Sequence, residues 1–257
     1  MATAFERIVE KLIARAFYTD ETLPDPLPAA PWRTFRDWWD RAHGAGENDR
    51  RPIQPNPNAM TLATVDEDGM PSCLVVLCRG IYEEPGCLVF YTNYTGRKGR
   101  AMLGAGPGGG KACANFHWDP LDLQARFEGF VVKSPAEESD EYFAQRGLEN
   151  RLGAWASDQS QPIGSRGELL MKIVERIHEF DIDPTALIAK EGDPARERGT
   201  VPRPPHWGGF RLFPRRIELW CGSKSRVHDR AEWQRDVDVQ ADGGVVCGPW
   251  SATRVQP

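Results

Sequence analysis

Apolar residues recur at helical spacing near the start of the chain. Ala4, Phe5, Ile8, Val9, Leu12, Ile13, Ala16 and Phe17 fall on one face of a 3.6-residue period, which predicts an amphipathic helix over residues 4–17. A proline-rich link, Leu23-Pro24-Asp25-Pro26-Leu27-Pro28, follows and lacks the N–H donors of a regular ladder. Residues 34–42 predict a second short helix with Phe35, Trp38, Trp39 and Ala42 on its apolar side, and 44–57 is polar and punctuated, a loop.

At Ala59 the period changes to two. Residues 60–65 and 73–79 read as strands around Asp66-Glu67-Asp68-Gly69, a strong hairpin signal. Residues 87–92, 111–118 and 123–133 add three strands, with a short helix at 96–103. Ser134, with Glu137 and Glu138 behind it, has the spacing of a capping box and predicts a helix over 135–145. Leu169, Leu170, Ile173, Val174 and Ile177 mark another helix over 166–180. The charged, proline-bearing stretch 181–205 predicts an exposed connection. Strand character returns at 207–213 and 216–220, and two more strands are predicted at 233–240 and 245–255. Short strands at close spacing point to an antiparallel barrel. The expected fold class is mainly β (α+β), with peripheral helices. Residues 1–57 form an N-terminal helical extension and linker, and 58–257 the barrel domain.

Composition narrows the function classes. With 257 residues and a net charge of −5, the chain can bury a substantial core and is a poor general nucleic-acid binder. No apolar run reaches the roughly 20 residues that span a bilayer, and Glu6 and Glu10 interrupt the N-terminal segment, which reads as no secretory signal. The six cysteines form no Cys-x-x-Cys pair and suit reduced thiols of a cytoplasmic protein. No metal site is expected.

Candidate chemistry gathers in a few segments. After the run Arg216-Ile217-Glu218-Leu219-Trp220 and a Gly/Ser turn come Arg226, His228 and Arg230, which share one face if the segment is extended. That face fits an anionic ligand beside a group titrating near neutrality, and fits equally a solvated strand edge. Tyr91 and Thr92 end a strand, and Arg97 and Lys98 open the next helix, where acids are the usual choice; the inversion favours an anion site. The stretch Gly104-Ala105-Gly106-Pro107-Gly108-Gly109-Gly110-Lys111 is no phosphate loop, because Ala105 and Ala112 occupy positions that need Gly and Ser or Thr. Tyr142 and Arg146 are four apart and share a helix face. Gln124 is an amide within a strand, and 155–160 is a polar loop after an aromatic anchor.

Taken in order, Leu62-Ala63-Thr64-Val65-Asp66, Val89-Phe90-Tyr91-Thr92-Asn93, Arg97-Lys98, Gly153-Ala154-Trp155-Ala156-Ser157-Asp158-Gln159-Ser160, Trp207-Gly208-Gly209-Phe210 and Arg226-Val227-His228-Asp229-Arg230 resemble the pyridoxine/pyridoxamine 5′-phosphate oxidase family over about 58–257. The resemblance implies an FMN-binding split β-barrel that forms a homodimer with FMN at the interface. It implies oxidation of pyridoxine or pyridoxamine 5′-phosphate to pyridoxal 5′-phosphate, with O2 as acceptor and H2O2 as product. By position, Arg97 and Lys98 hold the FMN phosphate with Tyr91 and Thr92. Leu74, Val75, Val76 and Leu77 pass beside the flavin ring, and Gln124, Gln159, Ser160, Trp220 and Arg230 complete its site. Arg79, Tyr142, Arg146 and Asn150 take the substrate phosphate, while Arg226 and His228 are the catalytic pair over the substrate ring. Three positions depart from the family pattern. Leu74 stands for an arginine, Arg79 for a lysine and Asn150 for a serine. One lost charge-assisted bond costs roughly 1.5–3 kcal/mol, which implies weaker flavin binding. A relative that oxidises another small ring compound, and a non-enzymatic flavin- or B6-phosphate-binding protein, are the alternatives.

Overall fold

Alternation of apolar and polar residues builds the centre of the molecule. The computed structural model describes residues 4–16, 21–45, 51–104, 109–189, 201–223 and 225–257. Two helices come first, α1 (Ala4–Ala16) and α2 (Trp32–Ala42). Then follow β1 (Ala59–Val65), β2 (Pro71–Tyr82), β3 (Cys87–Asn93), α3 (Arg97–Leu103), β4 (Gly110–Trp118) and β5 (Leu123–Lys133). Helices α4 (Ala136–Ala144), α5 (Leu148–Ala156) and α6 (Arg166–Glu179) precede β6 (Trp207–Cys221). Six antiparallel strands run in the order β6-β3-β2-β1-β4-β5, and the β5–β6 pairing closes them into the expected barrel. The β1–β2 hairpin turns where its acidic signal places it: Gly69 has φ +83°, and the Gly69 N–H donates to the Asp66 carbonyl.

Inward residues alternate along β5, where Leu123, Ala125, Phe127 and Val131 are buried. Helix α2, which the sequence places in the N-terminal extension, lays Trp32, Phe35 and Trp38 into this same core. The Phe35 ring is fully buried, with centroids 4.8 Å from Phe127, 5.4 Å from Phe116 and 6.0 Å from Trp118. A second cluster joins Phe143, Leu148, Leu152 and Ile177 to Trp207, and so fixes α4, α5 and α6 against the start of β6.

Several expectations fail for local physical reasons. Residues 207–213 and 216–220 belong to one strand: β6 passes Pro214 by a register shift opposite Glu128 and Gly129. Only glycine fits at 129, since a Cβ there would lie 2.0 Å from the Phe213 carbonyl oxygen. The two C-terminal strands are four: β7 (Asp229–Gln234), β8 (Val237–Val239), β9 (Val245–Cys247) and β10 (Ser251–Val255). Arg235 ends β7 by turning inward to donate to the carbonyls of Pro214, Pro85 and Gly86. Ser134 caps nothing. Pro135 takes the cap position of α4, and the buried Ser134 hydroxyl has no partner. Instead Ser139 Oγ accepts from the Gly209 amide and donates to the Pro135 carbonyl. The connection after α6 is not wholly exposed, because Ile182, Ala186 and Val201 are buried in the second cluster. Its middle, 190–200, and the glycine-rich 105–108 lie outside the described residues.

Close approach also explains Gly208. A Cβ there would meet the Tyr94 hydroxyl at 2.0 Å and Cζ at 2.7 Å. Gly208→Ala is expected to destabilise by about 1–3 kcal/mol through overpacking. Thermal unfolding should show a midpoint several degrees lower; an unchanged midpoint would mean that the Tyr94 ring swings aside freely.

Candidate ligand-binding site

The site begins with a strand edge. β2 pairs with β1 from Pro71 to Leu77 but joins β3 only from Cys78 to Tyr82. The backbone of 71–77 is therefore bonded on one side only, and this open edge borders a cavity of about 640 Å³. Leu74, Val75, Val76 and Leu77 line it. An edge of amides and carbonyls flanked by apolar side chains suits a flat ring that carries its own donors and acceptors.

Lys98 enters the same cavity from α3 and is only 7% exposed. Its ammonium donates to Gln159 Oε1 at 2.7 Å, and the Thr92 hydroxyl donates to that oxygen at 3.4 Å. Burial pushes the Lys98 pKa down, and no neighbouring carboxylate acts against that shift. A buried ammonium with a neutral partner is short of an anion. Since α3 has only seven residues, the anion preference rests on this side chain rather than on a helix dipole.

A second cationic position lies in the cavity among aromatic rings. Tyr91 and Tyr142 stack at 3.8 Å with planes 9° apart, and Trp207 lies nearly parallel to both. The Arg146 guanidinium sits 4.6 Å from the Trp207 ring centroid. Its pKa is lowered by burial first and by the charge of Arg79 as well, with Tyr142 acting against both. Arg146 Nη1 is buried with no hydrogen-bond partner. Asn150 completes this wall. Burial also raises the Tyr91 pKa, so its hydroxyl is a donor rather than a phenolate.

Nine of the flavin and substrate candidates thus meet with Lys98 in one cavity: Leu74 to Leu77, Arg79, Tyr91 and Thr92 from β2 and β3, and Tyr142 and Arg146 from the helical side. Asn150 and Gln159 join them. Gln145 and Trp207 also line the cavity; neither has a site role read from sequence, although Trp207 stands in a segment that carries the resemblance. Gln145 sits three residues after Tyr142, a spacing that could have found it, whereas Trp207 carries no polar signal.

The remaining candidates lie elsewhere. Arg97 turns away to a separate hollow, where Nε and Nη2 donate to Asp66 Oδ2 at 2.8 and 2.6 Å. Its backbone amide donates to Ser160 Oγ at 3.3 Å, and Ser160 holds a left-handed φ of +71°. Gln124, Trp220 and Arg230 form one cross-strand row on β5, β6 and β7. The His228 ring lies 4.7 Å from the Trp220 ring, and its Nδ1 accepts from the Ser223 amide at 3.0 Å. That bond leaves the proton of the neutral ring on Nε2. Arg226 has φ +61° and only Asp229 onward is strand, so Arg226, His228 and Arg230 do not share the extended face that their spacing predicts.

This second group does not line the cavity. Trp207 and Trp220 are thirteen residues apart on β6, roughly 40 Å along a strand at about 3.3 Å per residue. The two groups therefore lie toward opposite ends of β6. Among the described residues, no cluster could hold a metal ion and no helix is long and apolar enough to cross a membrane.

Comparison with known proteins bears on the same two regions. The family model for pyridoxamine 5′-phosphate oxidase matches residues 49–178. The model for the pyridoxine 5′-phosphate oxidase C-terminal dimerisation region matches 207–257. A pyridoxine/pyridoxamine 5′-phosphate oxidase of Bordetella petrii is 40% identical over 245 residues, 95% of this chain and 98% of the relative. Another from Burkholderia lata is 42% identical over 227 residues, 88% of this chain and 89% of the relative. Among solved structures, PhzG from Burkholderia lata 383, in complex with tetrahydrophenazine-1-carboxylic acid, superposes with a TM-score of 0.70 at 26% identity, over 93% of this chain and 99% of that one.

Proposed function

The chain belongs to the pyridoxamine 5′-phosphate oxidase family, and from that premise we propose that it binds FMN and oxidises pyridoxamine and pyridoxine 5′-phosphate to pyridoxal 5′-phosphate, with O2 as acceptor and H2O2 as product. The observation that carries this reading is the pair of anion-seeking positions in one cavity. Lys98 is buried without a carboxylate, and Arg146 keeps an orphaned Nη1 beside Arg79. Burial lowers the Lys98 pKa, while Arg79 and Arg146 line the same cavity from β2 and from the chain after α4. Two phosphorylated ligands need two such positions.

The residues present fit the cofactor. Lys98, Thr92 and Gln159 would hold its phosphate, and the open edge of β2 would meet the polar rim of its ring. Leu74 offers the ring an apolar contact in place of a cation, which shifts more of the binding onto Lys98. The bound flavin supplies the redox chemistry, accepting hydride and passing electrons to O2. Arg79, Arg146, Tyr142 and Asn150 would seat the substrate phosphate and exclude water from it. The Nε2–H of His228 would donate a hydrogen bond to the substrate ring, and Arg226 would add a permanent charge.

A homodimer supplies the missing half. The matched dimerisation region contains Trp220, Arg226, His228 and Arg230, the group that one chain holds far along β6 from its own cavity. Use of the C-terminal region for pairing follows from the same reading. All six cysteines are free, which supports a reducing compartment such as the cytoplasm.

A second reading, oxidation of a reduced tricyclic carboxylic acid, is favoured by the likeness to PhzG. Identity of 42% to the B6-phosphate enzyme and 26% to PhzG, both from Burkholderia lata, weighs toward the first. The purified protein is expected to be yellow and to release peroxide with either B6 phosphate, but not with the dephosphorylated vitamers. Flavin bound without turnover of either phosphate, together with turnover of the tricyclic acid, would replace the first reading by the second.

A further inference from the structure

We propose that Glu218 is a positioning residue that sets the flavin affinity of Arg230. The inference rests on the FMN reading above. Glu218 lies on β6, and its side chain is only 2% exposed. Oε1 accepts from Arg230 Nε at 2.9 Å and from Nη2 at 2.7 Å, and Oε2 accepts from Arg126 Nη2 at 2.7 Å. One buried carboxylate is thus shared by two guanidinium groups.

Register shows what this arrangement holds. Gln124, Trp220 and Arg230 occupy one cross-strand row, and Arg126, Glu218 and Glu232 occupy the next row on the same face, two residues along each strand. Arg230 also donates from Nη1 to the Gln256 carbonyl at 2.8 Å. A guanidinium has five N–H donors; these bonds engage Nε and one N–H on each terminal nitrogen. The two left over, one on Nη1 and one on Nη2, remain to donate to acceptor atoms of a ring beside Trp220. Without Glu218 the long arginine side chain is free to leave that position, and ordering it again on binding opposes affinity. Glu218 therefore acts on the flavin through Arg230, although it need never touch the flavin itself.

Titrating flavin-free protein with FMN and following flavin fluorescence tests this. Wild type, Glu218→Gln, Arg230→Ala and the double variant form a cycle. Glu218→Gln is expected to raise the Kd about tenfold in the wild-type background and to change it less than twofold when Arg230 is already alanine. A purely structural role would give the same factor in both backgrounds, and that result, or an unchanged Kd for Glu218→Gln, overturns the proposal. Should the glutamine variant fail to fold, Glu218→Asp keeps the charge but withdraws it by one methylene. A folded Asp variant with raised Kd supports the proposal, and one with wild-type Kd overturns it. Failure of the wild-type protein to bind FMN sinks the functional reading itself, a result separate from an additive cycle.

Discussion

Lys98→Met is expected to weaken FMN binding by one to two orders of magnitude while leaving the flavin-free protein at least as stable as wild type. The two effects have opposite signs for one reason. Lys98 is buried, its ammonium has only the neutral oxygen of Gln159 as partner, and burial already lowers its pKa. Methionine fills the same space without a charge to desolvate. On binding, the lost charge-assisted bond to phosphate is worth about 1.5–3 kcal/mol, or roughly 10- to 150-fold in Kd. A pH effect follows from the same shift. With a folded-state pKa below the ordinary lysine value of 10.5, Lys98 loses its charge earlier than an exposed lysine as pH rises. FMN affinity should fall through that window, while the flavin-free protein gains stability there because the unfolded chain holds the extra proton. Neither trend should survive in Lys98→Met. Fluorescence titration and denaturant melts read both quantities, and wild-type affinity in the variant would move the phosphate role to Arg97, released from Asp66.

Phe35→Ala is expected to cost about 3–5 kcal/mol of folding stability, a large share of the roughly 5–15 kcal/mol that holds a domain together. Phe35 is fully buried, and its ring meets Phe116, Trp118, Phe127 and Trp39 at centroid distances of 5.4, 6.0, 4.8 and 6.2 Å. Four stiff aromatic neighbours cannot collapse into the void, so cavity and transfer costs add. Urea denaturation should show a lower midpoint with an unchanged slope. A loss below 1 kcal/mol would mean that α2 is dispensable to the barrel core.

The barrel was legible because its strands obey simple rules. The predicted bounds of β5 match the structure, and the acidic hairpin signal stands at the β1–β2 turn. Breaks in those rules misled. Pro214 reads as the end of a strand, yet a register shift carries β6 through it, because Gly129 on the neighbouring strand leaves room. Helix α5 escaped notice because nine residues with a glycine inside give a weak period, although Leu148, Leu152 and Ala156 are buried four apart. In the cavity, Lys98 and Thr92, read from hydroxyls and cations at a strand end and a helix start, meet Tyr142 and Arg146, read from their spacing of four. What spacing cannot show is competition among partners: Asp66 takes Arg97, Ser223 takes His228, and Glu218 takes Arg230. The left-handed φ at Arg226, whose amide donates to the Ser223 carbonyl, is equally invisible in the spacing.

The open edge of β2 has a bearing on handling as well as on binding. From Pro71 to Leu77 it presents unpaired backbone groups, with Val75 65% exposed and Met70 56% exposed close by. A strand edge of this kind, apolar and free of lysine, is the template on which chains stack and precipitate. Whatever occupies the cavity therefore also shields the molecule from its own copies, and cofactor supply during expression becomes a question of how much protein stays in solution.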